Sequence, residues 1–166
     1  MHMSELLFIF GLPGVGKSYV ADILKQEFVY FIHNGDDDLP VEMKAALFQK
    51  STITDHMRHE FVQRMIQHIK KLIPLHPKIA IHQTLLKEFM REALVQTFPH
   101  AQFVWVQCDT DIRETRYQQR EYFNLGLEYL RKMSMVFDTP HIAFTVINNS
   151  PSGTSNIRNQ ILKKLQ

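Results

Sequence analysis

The chain has 166 residues, 45% of them hydrophobic, and its 19 basic and 17 acidic side chains leave a formal net charge of +2. This length supports one well-buried core rather than two, and the near-balanced charge lacks the basic footprint of a nucleic-acid binder. No apolar run approaches the roughly 20 residues of a membrane span and the single cysteine cannot form an internal disulfide, so we expect one cytoplasmic domain over residues 1–166 whose partners are small anionic ligands, with no nucleic acid and no membrane.

Apolar segments rich in β-branched and aromatic residues alternate with longer helical patterns along the chain. The predicted strands are 6–10, 29–33, 78–82, 102–107 and 143–147. The predicted helices are 17–28, 55–73, 86–98, a helix that begins at Asp111 with Glu114 in the capping-box position, and 155–165. This alternation is typical of a parallel sheet covered by helices on both faces, so the predicted fold class is α/β. Ligands of such a sheet bind beyond the carboxyl ends of its strands.

The most specific motif follows the first predicted strand. The sequence Gly11-Leu12-Pro13-Gly14-Val15-Gly16-Lys17-Ser18 matches G-x-x-x-x-G-K-[ST], the pattern of a phosphate-binding loop. Its glycines let successive backbone N–H groups face nucleotide phosphates, and the helix that follows adds the positive end of its dipole. The predicted phosphate-binding residues are Gly11, Pro13, Gly14, Val15, Gly16, Lys17, Ser18 and Tyr19. Lys17 is expected to reach the β- and γ-phosphates, and Ser18 to offer its hydroxyl to Mg²⁺.

Three adjacent carboxylates, Asp36, Asp37 and Asp38, follow the second predicted strand. An Asp run before a proline is usually a solvated turn or a helix cap. Its position after the second strand of a phosphate-loop domain favours a functional role instead, because the nucleotide site supplies a cation for it to face. We predict that Asp36 orients an acceptor hydroxyl, accepts its proton and helps to hold Mg²⁺.

Two arginines, Arg116 and Arg120, lie four residues apart on one predicted helix face. We predict that they stabilise the charge of a transferring phosphoryl group, with a solvated basic stripe paired to nearby glutamates as the alternative. The segment at about 117–132 carries one glycine and several aromatic residues. It is predicted to be a small lid over the site, or else part of the ordinary core.

Two further cations are candidates for binding an anionic acceptor. Arg58 lies near the start of the long helix at 55–73, and Lys87 follows the third predicted strand. Either could pair with a carboxylate, although a single residue of this kind is more often a surface charge.

Taken together, these residues resemble the gluconate kinases, small phosphate-loop sugar-acid kinases that share their fold with shikimate kinase. The family's Asp-Gly-Asp loop followed by a proline is similar to Asn34-Gly35-Asp36 and Pro40, and its lid-edge Arg-x-x-x-Arg is matched by Arg116 and Arg120. Its Leu-Lys after the third strand resembles Leu86-Lys87, with Arg91 at family spacing, and its acceptor-region arginine is matched by Arg58. The departures, Asn34, Leu39 and the Phe123-Asn124 pair, fall on the acceptor side.

The resemblance implies a five-stranded parallel sheet flanked by helices, ATP and Mg²⁺ as cofactors, and a homodimer as one assembly state. It implies transfer of the γ-phosphoryl group of ATP to a hydroxyl of a small, anionic, carbohydrate-like acceptor. The alternatives that the sequence leaves open are a shikimate kinase, a nucleoside monophosphate kinase, and a non-catalytic ATP-binding or sensor protein of kinase descent.

Overall fold

A five-stranded, all-parallel sheet forms the centre of the computed structural model, which describes residues 3–150 and 153–165. The strands are β1 (Glu5–Phe10), β2 (Phe31–Asn34), β3 (Lys78–His82), β4 (Gln102–Gln107) and β5 (Thr145–Asn148). They pair in the order β2-β3-β1-β4-β5, so β1 is central. The predicted α/β class and the five-stranded parallel sheet are confirmed.

Within the described residues, seven helices and one short 3-10 helix flank the sheet. The helices are α1 (Lys17–Phe28), α2 (Val41–Phe48), α3 (Asp55–Leu72), α4 (Glu88–Thr97), α5 (Thr110–Gln118), α6 (Leu127–Val136) and α7 (Gly153–Lys164). The 3-10 helix, Gly35–Asp38, follows β2 directly. Within the described ranges, no helix combines the length and hydrophobicity that crossing a bilayer requires.

Alternation along β1 divides the core between the two faces of the sheet, because successive strand side chains point to opposite faces. Phe8 and Phe10 pack with α3 and α4, whereas Leu7 and Ile9 pack with α1 and α7. Since both faces are covered, β1 is almost wholly apolar and buried. The loop that follows β1 is therefore fixed at the middle of the carboxyl edge of the sheet.

Two predicted strands begin too early. β2 begins at Phe31 rather than at 29, because Val29 adopts a left-handed conformation with φ 63° and ends α1. The N–H of Tyr30 then bonds the carbonyl of Leu24, which completes the reversal of the chain. β5 begins at Thr145 rather than at 143.

The predicted helix starts were also inexact. α4 begins at Glu88 rather than at 86, because Leu85 has φ 48° and Lys87 is extended. α5 begins at Thr110, so the predicted capping box is wrong: Glu114 forms an ion pair with Arg131 of α6 at 2.9 Å instead. The helix α2 was not predicted.

Candidate active site

A cleft of about 690 Å³ opens at the carboxyl edge of the sheet, over the ends of β1, β2 and β3. It brings together most of the residues singled out in the sequence: Pro13, Gly14, Gly16, Lys17, Ser18, Asp36, Arg58, Arg116 and Arg120. Gly11 and Val15, which belong to the phosphate loop, are buried. Tyr19 lines an adjoining cavity of about 250 Å³ together with Gly16, Arg116, Asn149 and Gly153.

Lys17 lies folded over the phosphate loop. Its Nζ donates to the carbonyl of Gly11 at 2.8 Å and to that of Leu12 at 3.0 Å. Burial, followed by the positive charges of Arg120 and Arg113, lowers the pKa of Lys17 to about 7, with Asp36 acting in the opposite direction. The ammonium group is therefore held where an anion would stabilise its charged form.

The phosphate loop is anchored by Asn149, the residue that follows β5 at one edge of the sheet. Its Nδ2 donates to the carbonyl of Val15 at 2.8 Å, and its carbonyl accepts from the Arg116 guanidinium at 2.9 Å. Gly16 has φ 93°, and a Cβ at that position would collide with the Asn149 amide. Glycine at position 16 therefore permits both the left-handed backbone and the contact that anchors the loop.

The 3-10 helix after β2 presents Asp36 to the cleft. The Asn34 side chain caps this helix by accepting from the Asp36 N–H at 2.9 Å, so the amide at position 34 has a structural role. The Asp36 carboxylate accepts from Gln83 Nε2 at 2.7 Å. Gly35 lets the turn approach β3 closely, since a Cβ there would lie 2.8 Å from Gln83 Cβ. The carboxylate is thus oriented by the ends of two neighbouring strands.

The other end of the same 3-10 helix is pinned by Asp38. Its buried carboxylate accepts from His33 Nε2 at 2.6 Å and from His68 Nδ1 at 2.8 Å. Burial alone would raise the pKa of Asp38, but the hydrogen bonds from the two histidines outweigh it and the pKa is lowered. These distances fit direct hydrogen bonds, whereas two ligands of a tetrahedral zinc ion lie about 3.3 Å apart. We therefore interpret the three residues as a hydrogen-bonded clamp.

Asp38→Asn is expected to lower the free energy of unfolding by about 2–3 kcal/mol, because it weakens two charge-assisted hydrogen bonds in a buried site. A lowered carboxyl pKa stabilises the folded protein above the ordinary value of 3.8, and that contribution is lost as the pH falls through the folded-state pKa. The deficit of the variant should therefore be largest at neutral pH and shrink below about pH 4. Urea unfolding across this pH range measures it.

Asp22→Asn, on the exposed face of α1, is the matched control for this substitution and should leave stability within about 0.5 kcal/mol of the wild type. An equal loss in both variants would contradict the clamp.

The two predicted arginines both reach the cleft. Arg116 is held by the Asn149 carbonyl, and the Arg120 guanidinium lies 5.4 Å from the centre of the Tyr117 ring. Of the two glutamates expected to pair with them in the alternative interpretation, Glu114 pairs with Arg131 instead and Glu121 lines the same cleft. Both guanidinium groups therefore face the same cleft as Lys17.

The segment between α5 and α6 is tied down by Tyr117. This buried hydroxyl donates to the carbonyl of Phe123 at 3.2 Å and accepts from the N–H of Leu125 at 3.0 Å. Phe123 itself has φ 57° and lies 5.0 Å, ring centre to ring centre, from Phe48 at the end of α2. The Asn124 side chain adds bonds to the carbonyls of Gln118 and Arg120, so the predicted lid is a hydrogen-bonded loop flanked by helices and in contact with α2.

Tyr117→Phe should loosen this loop while leaving the phosphate loop intact. Loss of a buried hydroxyl that bonds two backbone groups costs about 1 kcal/mol, or about fivefold in an equilibrium. We expect about fivefold faster amide exchange at 123–125, and an acceptor KM raised by a similar factor. Tyr122→Phe is the control, since the Tyr122 ring is largely exposed, and it should change neither quantity.

The two cations predicted to bind an acceptor have different surroundings. Arg58 lines the cleft, bonded to Asp55 at 3.0 Å and to the carbonyl of Ile53 at 3.2 Å. Lys87 is not among the lining residues, contrary to expectation. Its Nζ donates to the carbonyl of Val136 at 3.0 Å and to Asp138 at 3.4 Å, and these two partners lie outside the lining of the cleft.

Several residues of the cleft were missed in the sequence. Gln83, which orients Asp36, and Asn149, which braces the loop, each follow a strand and could have been found by the strand-end rule. His82 also lines the cleft; burial and then the charge of Lys17 lower its pKa to about 4, so it is neutral at pH 7. Tyr129, one of the aromatic residues of the segment predicted as a lid, enters the cleft from α6.

A glycine-rich loop that connects the central strand of a parallel sheet to a helix, with its lysine facing a cleft, defines a phosphate-loop nucleotide-binding domain. The family model described as an AAA domain matches residues 7–126, and the chain belongs to that family. A search of the curated proteins found no match.

Solved structures identify the branch of the fold. A sugar kinase from Janibacter sp. HTCC2649, unliganded, aligns with a TM-score of 0.80 at 17% identity, over 98% of this chain and 92% of that one. A gluconokinase from Sinorhizobium meliloti 1021 aligns at 0.77 with 16% identity over the same shares. The Mycobacterium tuberculosis APS kinase CysC, in complex with AMPPNP and APS, aligns at 0.65 with 14% identity, over 99% and 98%. The fold is that of the small phosphate-loop kinases, which confirms the resemblance to the gluconokinase-like group.

Proposed function

We propose that the protein is an ATP-dependent kinase that transfers the γ-phosphoryl group to a hydroxyl of a small molecule. The observation that carries this proposal is the placement of one oriented carboxylate, Asp36, in the same cleft as Lys17 and the two arginines. Asp36 is close enough for its charge to raise the pKa of Lys17. Phosphate-binding cations and an acid that can accept a proton therefore face one another, as phosphoryl transfer requires.

The phosphate end of the cleft has a distinct role for each residue. The backbone N–H groups of the loop and the Lys17 ammonium would hold the β- and γ-phosphates. Arg116 and Arg120 would neutralise charge on the oxygens of the transferring group. The adjoining cavity between Tyr19, Arg116 and Asn149 would take the nucleoside of ATP.

Mg²⁺ fits the donors that the cleft offers. The Ser18 hydroxyl and the Asp36 carboxylate both line it, and hard oxygen donors of this kind suit the ion. When bound, Mg²⁺ would supply charge neutralisation at the β- and γ-phosphates.

In the proposed reaction, Asp36 accepts the proton of the acceptor hydroxyl while the hydroxyl oxygen bonds to the γ-phosphorus. The bond between that phosphorus and the β–γ bridging oxygen breaks, and ADP leaves with its electron pair. Lys17 and the arginines stabilise the negative charge that moves onto ADP. Gln83 keeps the carboxylate directed at the hydroxyl throughout.

Two observations support a carbohydrate-like acid as the first acceptor to test. Sugar kinase and gluconokinase structures share the fold, and Arg58 offers a cation on the acceptor side. Lys87 lies outside the cleft, so we leave it out of the proposed acceptor site. Shikimate and nucleoside monophosphates are the other acceptors that the sequence suggests.

The test is ADP release from Mg-ATP with gluconate, related sugar acids, shikimate, nucleoside monophosphates, simple alcohols or no acceptor. Acceptor-dependent release above the background rate supports the kinase and identifies its acceptor class. ATP-dependent thermal stabilisation without release in any arm would favour the non-catalytic sensor. Absence of both would overturn the proposal.

A further inference from the structure

The half of the cleft that lies away from the phosphate loop is lined mainly by apolar side chains. They come from four separate parts of the chain: α2, the segment before and within α3, the turn after β3, and the lid with α6. Representative members are Met43, Leu47, Ile53, Leu86, Phe123 and Met133. An apolar surface assembled from four elements is a shaped pocket rather than one hydrophobic helix face.

Three cations near this half each have partners within the protein. Arg58 forms an ion pair with Asp55 and bonds the Ile53 carbonyl. Arg91, fully buried, donates to backbone carbonyls of the turn after β3 and pairs with Glu88. Lys87 is directed at Asp138.

A polyhydroxylated acid would lie mainly against apolar side chains there, with polar groups supplied by Thr84, Glu121 and two tyrosines, Tyr122 and Tyr129. Each hydroxyl that lost its water without a replacement would weaken binding. An apolar or aromatic group would gain from leaving water at the same place, and Phe123 and Tyr129 offer aromatic surface to pack against it.

Two polar side chains of the lining lie next to the phosphate-binding half of the cleft. Asp36 and Gln83 stand there with their hydrogen bond to each other, on the side that faces Lys17. This arrangement suits a ligand with one hydroxyl at the border and an apolar body beyond it. Phe123, one of the apolar lining residues, also contacts Phe48 at the end of α2.

We infer that the preferred acceptor is an alcohol carried by an apolar or aromatic body, with its reacting hydroxyl at Asp36, ahead of the sugar acid that the solved kinase structures suggest. This inference rests on the kinase function proposed above. It names the class of acceptor that the same site takes.

The first test compares acceptors in the ADP-release assay, with 2-phenylethanol and 3-phenylpropan-1-ol set against gluconate and shikimate. We expect kcat/KM at least tenfold higher for the aryl alcohols. Equal or higher values for gluconate or shikimate would overturn the acceptor class while leaving the kinase function standing.

The second test measures binding, so that it decides the matter even if turnover is slow. Thermal shift and ligand-observed NMR with 3-phenylpropan-1-ol are carried out on the wild type and on Leu47→Gln, with Leu162→Gln as the matched control on exposed α7. We expect binding to weaken at least fivefold in Leu47→Gln alone. A fluorescent ATP analogue verifies that each variant is folded and binds nucleotide.

The outcomes separate the two proposals. If the alcohol binds in the wild type and weakens only in Leu47→Gln but no acceptor is phosphorylated, the pocket assignment stands and the kinase function fails. If ATP binds and the alcohol does not bind, or binds equally well to both variants, the acceptor class is overturned.

Discussion

Asp36→Asn is expected to lower kcat by about 10²–10⁴-fold, the contribution typical of a positioned general base. The amide keeps the size and one acceptor oxygen of the carboxylate, so the bond from Gln83 and the 3-10 turn should survive. It cannot take the proton of the acceptor hydroxyl. ADP release under saturating Mg-ATP measures the loss, and a fluorescent ATP analogue should bind within about threefold of its wild-type affinity.

The neighbouring carboxylate provides the control for this prediction. Asp37 lies on the same turn but is exposed to solvent, so Asp37→Asn should retain kcat within about twofold. If both variants lost the same activity, the effect would come from the charge of the loop and not from Asp36. A parallel loss of nucleotide binding in Asp36→Asn would remove Asp36 from the acceptor side.

Lys17→Met is expected to lower kcat by about 10²–10³-fold, because it removes a donor aimed at charge that develops on the phosphates during transfer. The methionine fills a similar volume, so the fold should be retained. Lys25→Met, on the exposed part of α1, is the control and should behave as the wild type. Turnover of Lys17→Met near the wild-type rate would contradict the role of Lys17 in phosphoryl transfer.

The same lysine predicts a proton-linked nucleotide affinity. Its pKa of about 7 in the free protein means that the group is largely neutral at pH 8, whereas bound phosphates stabilise its charged form. ATP binding above pH 7 should therefore take up close to one proton, and ATP affinity should fall as the pH rises from 7 to 9. Calorimetry in buffers with different ionisation enthalpies measures the uptake, which should vanish in Lys17→Met.

The features predicted correctly from the sequence are those whose physics is local. The phosphate loop is one contiguous segment, so its glycines, its lysine and the flanking strand and helix could all be predicted from the sequence. The parallel sheet followed from five apolar segments separated by helical patterns. Asp36 and the two arginines were placed by a strand end and by helical spacing, and the structure brings them into one cleft, although their roles stay predictions.

The features missed depend on residues far apart in the chain. The clamp on Asp38 needs His68, which is 30 residues away on α3, and no local pattern announces that contact. Lys87 was misplaced because its ammonium group bonds two groups about 50 residues away in the chain, the carbonyl of Val136 and the carboxylate of Asp138. α2 is short and carries no clear apolar stripe, so tertiary packing against the core decides it.

Two adjacent residues of helix α5 contact different parts of the cleft. Arg116 bonds the Asn149 carbonyl beside the phosphate loop, and the next residue, Tyr117, holds the segment predicted to be a lid, which touches α2 through Phe48. Nucleotide and acceptor should therefore bind cooperatively, each strengthening the other by the same factor, as thermodynamic linkage requires. ATP hydrolysis in the absence of an acceptor should therefore be slow, because the arrangement competent for transfer is most populated only when both ligands are bound.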